Sequence, residues 1–414
     1  MRRRALLSAL LIFIAVGCRS TATSSQRAAE RIARTIVLIS LDGFRADYVD
    51  RPSAAHIRAI AARGVLAERM IPVFPSKTFP NHYAIVTGLT AEHHGIVANV
   101  MRDPVLGSFT TRDTLAQSEP RWWSGEPIWV TAERQGVRAA TVSWPGSEAR
   151  IGGIRPTWWQ RYDHDETAQS KITKVLQWLQ LPRDSAPGLI TVYFHDTDTD
   201  GHTFGPAAPE TERAIARVDA AVGELDAAIT RLGLRDQVTI ILVSDHGMSP
   251  TSVDRAILLD DYIDLGTVDV IDWTPVGALV PRDGDADRLF AALSGKHPNL
   301  QVYRKGTLPE RWHFNDNPRI TPIVLVADEG WTITTRANHE QWIARGGRAG
   351  GAHGYDPALS SMGALFVAAG PGIAAGKTAP AFRNVHVYSL MAHLLGLTPA
   401  RTDGSLDSVR AVLR

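Results

Sequence analysis

The stretch VTIILVSDHGM, residues 238–248, is an unbroken β-rich apolar run that stops at an acid, a histidine and a glycine. A strand with one wet face alternates apolar and polar residues. A run that is apolar at every position reads instead as a strand covered on both faces, the habit of parallel sheets packed between helices. The same grammar recurs along the chain. TIVLISL (35–41) runs into Asp42-Gly43, GLITVYF (188–194) runs into His195, Asp196, Asp198 and His202, and GALFVAAG (363–370) follows GGAHGYD (350–356). Between the runs, Ile215, Val218, Val222, Leu225, Ile229 and Leu232 are spaced by threes and fours, which predicts a helix over 211–232 with one buried face. NVHVYSLMAHLLG (384–396) predicts another, from an Asn cap to a Gly stop. Strand–helix alternation predicts an α/β fold with a central, mostly parallel sheet flanked by helices. Ligands of such sheets bind beyond the carboxyl ends of the strands, where these runs place their acids and histidines.

Residues 249–345 interrupt the alternation. Strand-like VGALVPR, LQVYRKG and PIVLVADEG surround a helix-like DADRLFAALSG, which predicts a small α+β insertion between two core strands. EPRWWSGEPIWV (119–130) is expected to run irregularly into a helix with Pro127 in its first turn.

Composition sets the frame. The chain has 414 residues, 44% of them hydrophobic and 21% charged, which suits a large globular domain with an insertion rather than a disordered chain. A net charge of +1 gives no strong pull toward nucleic acid or an anionic membrane, and no sequence-specific nucleic-acid binding is expected. Residues 1–18 differ from the rest. Arg2, Arg3 and Arg4 precede the apolar run from Ala5 to Gly17, which is too short to span a bilayer comfortably and ends at Cys18, the single cysteine. This pattern predicts an export signal of lipoprotein type, with an ordinary cleaved signal as the alternative. Residues 19–33 then read as a polar tether, and 34–414 as the folded domain. An exported protein of the periplasm or cell envelope, touching the membrane only through a lipid on Cys18, is expected. A lone cysteine forms no internal disulfide.

A second stretch asks a chemical question. In IPVFPSKTFPNHYAIVTG (71–88), Thr78 stands two residues before Pro80, a residue favoured in a helix's first turn, and Gly88 offers a stop. Thr78 is then either a helix cap or a hydroxyl that faces an anion and attacks it. Asp42, Asp198, His202, Asp245, His246 and His353 bear on the choice. Asp-Gly after a strand is usually a turn and a lone His-Gly a loop, but together three Asp and three His suffice for two divalent metals with positions left open. Mixed carboxylate and imidazole ligands suit zinc best, with manganese or iron as options. A threonine hydroxyl needs such activation to act as a nucleophile near neutral pH. Lys77 reads as a solvated cation, His82 as a supporting hydrogen-bond donor, and the Trp pairs 122–123 and 158–159 as packing residues.

These motifs, LDGFRADY, PVFPSKTFPNHYAIVTGLTAEHHGIVAN, WWSGEPIWVTAE, WPGSE, TDTDGHTFGP, SDHGM and GAHGYD, resemble the nucleotide pyrophosphatase/phosphodiesterase family of the alkaline phosphatase superfamily, in order over roughly residues 34–396. The resemblance implies that Thr78 is a nucleophile forming a phosphothreonine. It implies one zinc held by Asp42, Asp245, His246 and Thr78, and a second by Asp198, His202 and His353. Asn99 would donate to a phosphate oxygen, with the Thr78 backbone N–H beside it. Phe79 and Tyr193 would clasp a nucleobase or another aromatic leaving part. Where the family carries a Glu-x-Pro-Asp-like run, this chain has HDTDTD, so Asp196, Asp198 and Asp200 compete as ligand, and the four-residue spacing to His202 favours Asp198. The activity implied is hydrolysis of nucleotide phosphodiester or pyrophosphate bonds to nucleoside 5′-monophosphates. A phosphomonoesterase, a choline-type phosphodiesterase on the same two-metal site, and an inactive metal- or nucleotide-binding envelope protein are the alternatives.

Overall fold

The computed structural model describes residues 35–414. The expected export signal (1–18), Cys18 and the tether (19–33) lie outside these. Eight strands form the main sheet: β1 (Thr35–Leu41), β2 (Val65–Ala67), β3 (Ala139–Val142), β4 (Trp158–Gln160), β5 (Leu189–Phe194), β6 (Val238–Val243), β7 (Phe366–Ala369) and β8 (Lys377–Ala379). Their order is β8-β2-β7-β6-β1-β5-β3-β4. β1 runs parallel to β5 and β6, and β3 parallel to β4 and β5; only β7 runs against its neighbours β2 and β6. The fold is thus the expected α/β arrangement around a mostly parallel sheet.

Every residue of β1, β5 and β6 is buried, which explains their unbroken apolar runs. Successive side chains point to opposite faces. Ile36 and Leu38 therefore join one core, and Val37, Ile39 and Leu41 the other. The second core is covered by α1 (Ala55–Arg63), α3 (Ala168–Leu179) and α5 (Pro209–Arg231), the first by α2 (Thr78–Thr87), the helix Ile128–Arg134 and α6 (His386–Leu394). Ile215, Val218, Val222, Leu225 and Ile229 of α5 are buried as their spacing predicts, while Leu232 lies just past the helix and is exposed.

Three local expectations change. Asn384 does not cap α6, which starts at His386; its amide instead donates to Asn81 Oδ1 over 2.8 Å. Pro127 precedes the helix Ile128–Arg134 rather than lying in its first turn, and Pro120–Trp122 before it form a turn of 3₁₀ helix. Thr78 is the first helical residue of α2, and Lys77 occupies the cap position without a side-chain capping bond. The stop at Gly88 is a left-handed residue, φ 68°, whose N–H donates to Ala84 O.

Between β6 and β7 the chain makes an excursion. Strands Val268–Asp272, Val276–Pro281, Leu300–Arg304 and Ile323–Ala327 form an antiparallel sheet with the helix Ala286–Leu293. Leu279, Leu289, Leu293, Leu300 and Leu325 belong to a core separate from those of the main sheet. Entry and exit meet where Ser249–Pro250 pairs with Gly351–Ala352.

The loop before α2 is tied down by Asn81, fully buried on the helix. Its Oδ1 accepts from Val73 N–H at 2.7 Å as well as from Asn384, and its Nδ2 donates to Pro75 O and Lys77 O at 3.0 and 2.8 Å. Every polar atom of the amide is used, so truncation strands several buried partners at once. Asn81→Ala is expected to lower unfolding stability by about 3 kcal/mol, read from the urea midpoint at unchanged m-value.

Candidate metal and phosphate site

Parallel strands end on the same side of a sheet, and β1, β5 and β6 are adjacent. In their register Leu41 stands beside Phe194 and Ser40 beside Val243. The residues that follow, Asp42, the α4 helix (Asp196–Phe204) and Asp245-His246, therefore emerge at one edge. Gly43, at φ 65°, lets the β1 turn pass close to α4: a Cβ there would lie 3.0 Å from Asp198 Cα.

Helical spacing selects one acid of the HDTDTD run. Asp198 and His202 are four residues apart and share a face of α4, with Asp198 Oδ1 3.3 Å from His202 Nε2 and 3.6 Å from His353 Nε2. Asp196 and Asp200 share another face and pair with Arg217 of α5 at 3.3 and 2.9 Å. Asp42 Oδ1 lies 3.4 Å, and Asp245 Oδ2 2.9 Å, from His246 Nε2. The Thr78 hydroxyl stands 3.5 Å from the same nitrogen. The His246 and His353 rings stack with centroids 3.5 Å apart, bringing the two groups together.

The protonation pattern shows what this arrangement accommodates. Nδ1 of His202, His246 and His353 faces the carbonyl of Gly351, Gly247 and Ser76 at 2.8, 2.8 and 2.7 Å. A carbonyl only accepts, so each Nδ1 donates its proton there and each ring turns Nε2 toward the carboxylates. Asp42 Oδ1, Asp198 Oδ1 and Asp245 Oδ2 are buried without a hydrogen-bond partner. Burial and the neighbouring carboxylates Asp245 and Asp198 push Asp42 well above the usual carboxylate range, and burial with Asp198 does the same to Asp245. Burial, then His246 and His202, holds His353 well below the ordinary imidazole range. This donor set fits divalent cations: Asp198, His202 and His353 offer ligand atoms within 4.8 Å of one another, as do Asp42, Asp198 and His246, and Asp42, His82 and Asp245.

His82 also lies among these acids, with Nδ1 3.4 Å from Asp245 Oδ2. Its Nδ1 donates to Thr78 O at 2.9 Å and its Nε2 accepts from the Ser40 hydroxyl at 2.8 Å. Both nitrogens are committed and burial pushes its pKa down to about 3, so it supports the start of α2 as a neutral ring.

A cavity of about 310 Å³ opens onto the site, lined in part by Thr78, Phe79, Asn99, Tyr162, Tyr193 and Glu148. Asn99 Oδ1 accepts from Phe79 N–H at 2.9 Å, which orients the amide and leaves Nδ2 as a donor. Tyr193 is only 8% exposed and donates its hydroxyl to Asp42 Oδ2 at 2.6 Å. It lines the cavity where a base-clasping residue was expected, and its hydroxyl positions Asp42. Tyr162 is 40% exposed and lies 5.8 Å from the Tyr193 ring, so it and the half-buried Phe79 present the free aromatic surface. The sequence reading missed Tyr162 and Ser143, another lining residue, held at φ 60°. Both follow carboxyl ends of parallel strands, β4 and β3, but those strands are only three and four residues long. The rule that picked out Asp42 and Asp245 applies to them; the apolar run that signals it is missing.

A family profile described as Type I phosphodiesterase / nucleotide pyrophosphatase matches residues 36–356. Bis(5′-adenosyl)-triphosphatase enpp4 of Mus musculus is 36% identical over 92% of this chain and 82% of its own length. Human ectonucleotide pyrophosphatase/phosphodiesterase family member 5 is 36% identical over 91% of this chain and 78% of its own. The structure of an inactive variant of murine ectonucleotide pyrophosphatase/phosphodiesterase 5 in complex with AMP superposes with a TM-score of 0.86 at 37% identity, covering 92% of this chain and all of that one. With its α/β sheet and its acids and histidines on one strand edge, the chain belongs to the type I phosphodiesterase/nucleotide pyrophosphatase family of the alkaline phosphatase superfamily.

Proposed function

We propose that the chain hydrolyses nucleotide phosphodiester or pyrophosphate bonds to nucleoside 5′-monophosphates through a phosphothreonine at Thr78. The observation that carries this reading is the set of buried acceptor atoms facing one another beside the Thr78 hydroxyl at a helix start. Asp42, Asp245, His246 and Thr78 would hold one zinc, and Asp198, His202 and His353 another. Bound there, the two cations supply Lewis acidity for the hydroxyl and for the phosphate oxygens.

The chain's own residues account for the rest. Thr78 Oγ1 forms the bond to phosphorus while the alcohol or phosphate on the opposite side departs. Water then cleaves the phosphothreonine and restores the hydroxyl. The Thr78 N–H lies in the first turn of α2, where no intrahelical carbonyl reaches it, and it adds a donor at the positive end of the helix. Asn99 Nδ2 donates to a non-bridging oxygen, and Phe79 with Tyr162 flanks the base. Tyr193 and His82 keep Asp42 and the start of α2 in register.

The same proposal includes export and a lipid on Cys18, supported by the arginines at 2–4 and the apolar run that ends at that cysteine. Membrane-fraction retention that Cys18→Ser abolishes is the result expected.

Thr78→Ala is expected to cut kcat on a nucleotide aryl diester by at least about 1000-fold while AMP still binds; acid-quenched wild-type enzyme should yield phosphorylated Thr78 peptide by mass spectrometry. Wild-type turnover by Thr78→Ala, in enzyme shown free of wild-type contamination, would remove the nucleophile assignment. Tyr162→Ala should raise KM for nucleotide diesters about tenfold and leave a baseless aryl diester nearly unchanged.

Chelation should abolish turnover and zinc restore it, and elemental analysis of Asp198→Asn should show loss of about one metal equivalent. The raised Asp42 and Asp245 values carry a sign. The metal-free fold binds protons there that the unfolded chain has lost, so their contribution to stability is present at low pH and lost as pH rises through the folded values. Cations displace those protons. The calorimetric Tm difference between metal-loaded and metal-free protein should therefore widen from about pH 5 to about pH 8; a constant difference would contradict it.

A further inference from the structure

Lys77 precedes the nucleophile and, contrary to its reading as a solvated cation, is buried at 5% exposure. Its ammonium is paired with the Asp272 carboxylate, which comes from the excursion between β6 and β7. A bulge in the strand Val268–Asp272, between Val270 and Asp272, sets the direction of this side chain. Trp273 N–H donates to the other carboxylate oxygen at 2.9 Å. Lys77 and Asp272 line a small seam between the inserted sheet and the segments around Pro75 and Val97, with Ile271, Val276 and Phe314. Lys77 does not line the reaction cavity, whose one cationic side chain is the exposed Arg112, set against Asp42, Glu148 and Asp198.

We propose that Asp272 is a specificity-determining positioning residue: it holds the Lys77 ammonium in the seam, out of the reaction cavity, and so biases the site against dianionic phosphates. The inference rests on phosphoryl transfer at Thr78. A phosphodiester carries one negative charge at phosphorus, whereas a phosphomonoester carries about −1.5 to −2 near neutral pH. An additional ammonium one residue from the nucleophile stabilises the more highly charged group preferentially. Removing the carboxylate leaves Lys77 as an uncompensated buried cation. Its flexible stem then turns the charge toward the nearest available anion, the phosphate in the cavity. The inserted sheet thereby acts on substrate choice without touching substrate.

The test compares one aryl alcohol as its phosphomonoester and as its methyl phosphodiester, in zinc-loaded full-length enzyme. Asp272→Asn should raise the monoester-to-diester ratio of kcat/KM by about tenfold, chiefly through a lower monoester KM, and should tighten competitive inhibition by orthophosphate. Asp272→Glu should restore the wild-type ratio, and Lys77→Met/Asp272→Asn should lose the gain. A crystal structure of Asp272→Asn with orthophosphate should place Lys77 Nζ in the cavity. Should the Asn variant not fold, Asp272→Ser, which admits water beside the ammonium, takes its place. An unmoved ratio, a gain that survives Lys77→Met, or equal losses on both esters would overturn the inference alone. Failure of wild-type enzyme to cleave either ester would instead overturn the phosphoryl-transfer reading, and this inference with it.

Discussion

Three carboxylates, Asp42, Asp198 and Asp245, converge on three imidazoles at one sheet edge, and the protein supplies almost no donor to their inward oxygens. The contrast between the two sides of each side chain is the constraint on which the site depends. Toward the protein, Tyr193 donates to Asp42, Gly43 N–H donates to Asp245 at 3.1 Å, and each histidine is anchored through Nδ1 to a carbonyl. Toward the cavity, Asp42 Oδ1, Asp198 Oδ1 and Asp245 Oδ2 receive no hydrogen bond from the protein. A cluster of this kind is costly in a folded protein unless positive charge completes it. Its geometry follows from the buried parallel strands β1, β5 and β6.

The helix that begins with Thr78 is prepared with the same care. Asn81 ties the preceding loop to the helix and to Asn384, His82 bonds the Thr78 carbonyl, and Asn99 is aimed by the Phe79 N–H. These contacts need no substrate, so the fold itself holds the Thr78 hydroxyl and the Asn99 amide in place. In the proposed reaction, such preorganisation would lower the reorganisation required when charge develops at phosphorus. Thr78 is not itself the cap that its sequence context offered: Lys77 takes the cap position and Thr78 begins the helix.

The inserted sheet has its own core on one face, packs its other face into the first core of the main sheet through Val276, Val324 and Val326, and adds charged contacts. Besides Asp272 with Lys77, Arg319 reaches Asp103 at 2.7 Å and also donates to the carbonyls of Gly95, Arg121 and Trp122. Such buried, directional contacts specify how two units seat on each other more than they add net stability. They connect the excursion to the segment that carries Asn99 and to the loop before Thr78.

The strands, the main helices and the acids at strand ends were legible because their signals are local: an apolar run, a spacing of threes and fours, a polar stop. Asp42, Asp245 and His246 could be picked out in VTIILVSDHG and TIVLISLDG with no knowledge of the fold. Helical spacing also favoured Asp198 over Asp196 and Asp200, but what the other two acids do depends on Arg217, on a different helix. Tyr193 and Tyr162 differ for a similar reason. A tyrosine in a buried strand gives its hydroxyl to whatever the next strand presents, here Asp42, while one beyond a three-residue edge strand stays 40% exposed. Lys77 is the sharpest case, since nothing near it in the chain predicts burial and its partner lies 195 residues away. Short segments were enough to list the candidate ligands and the strands that carry them, because periodicity and residue chemistry are local properties. Which way each side chain faces, and which charges neutralise one another, was settled by packing alone, because both depend on groups that are distant in the chain and meet only in the folded protein.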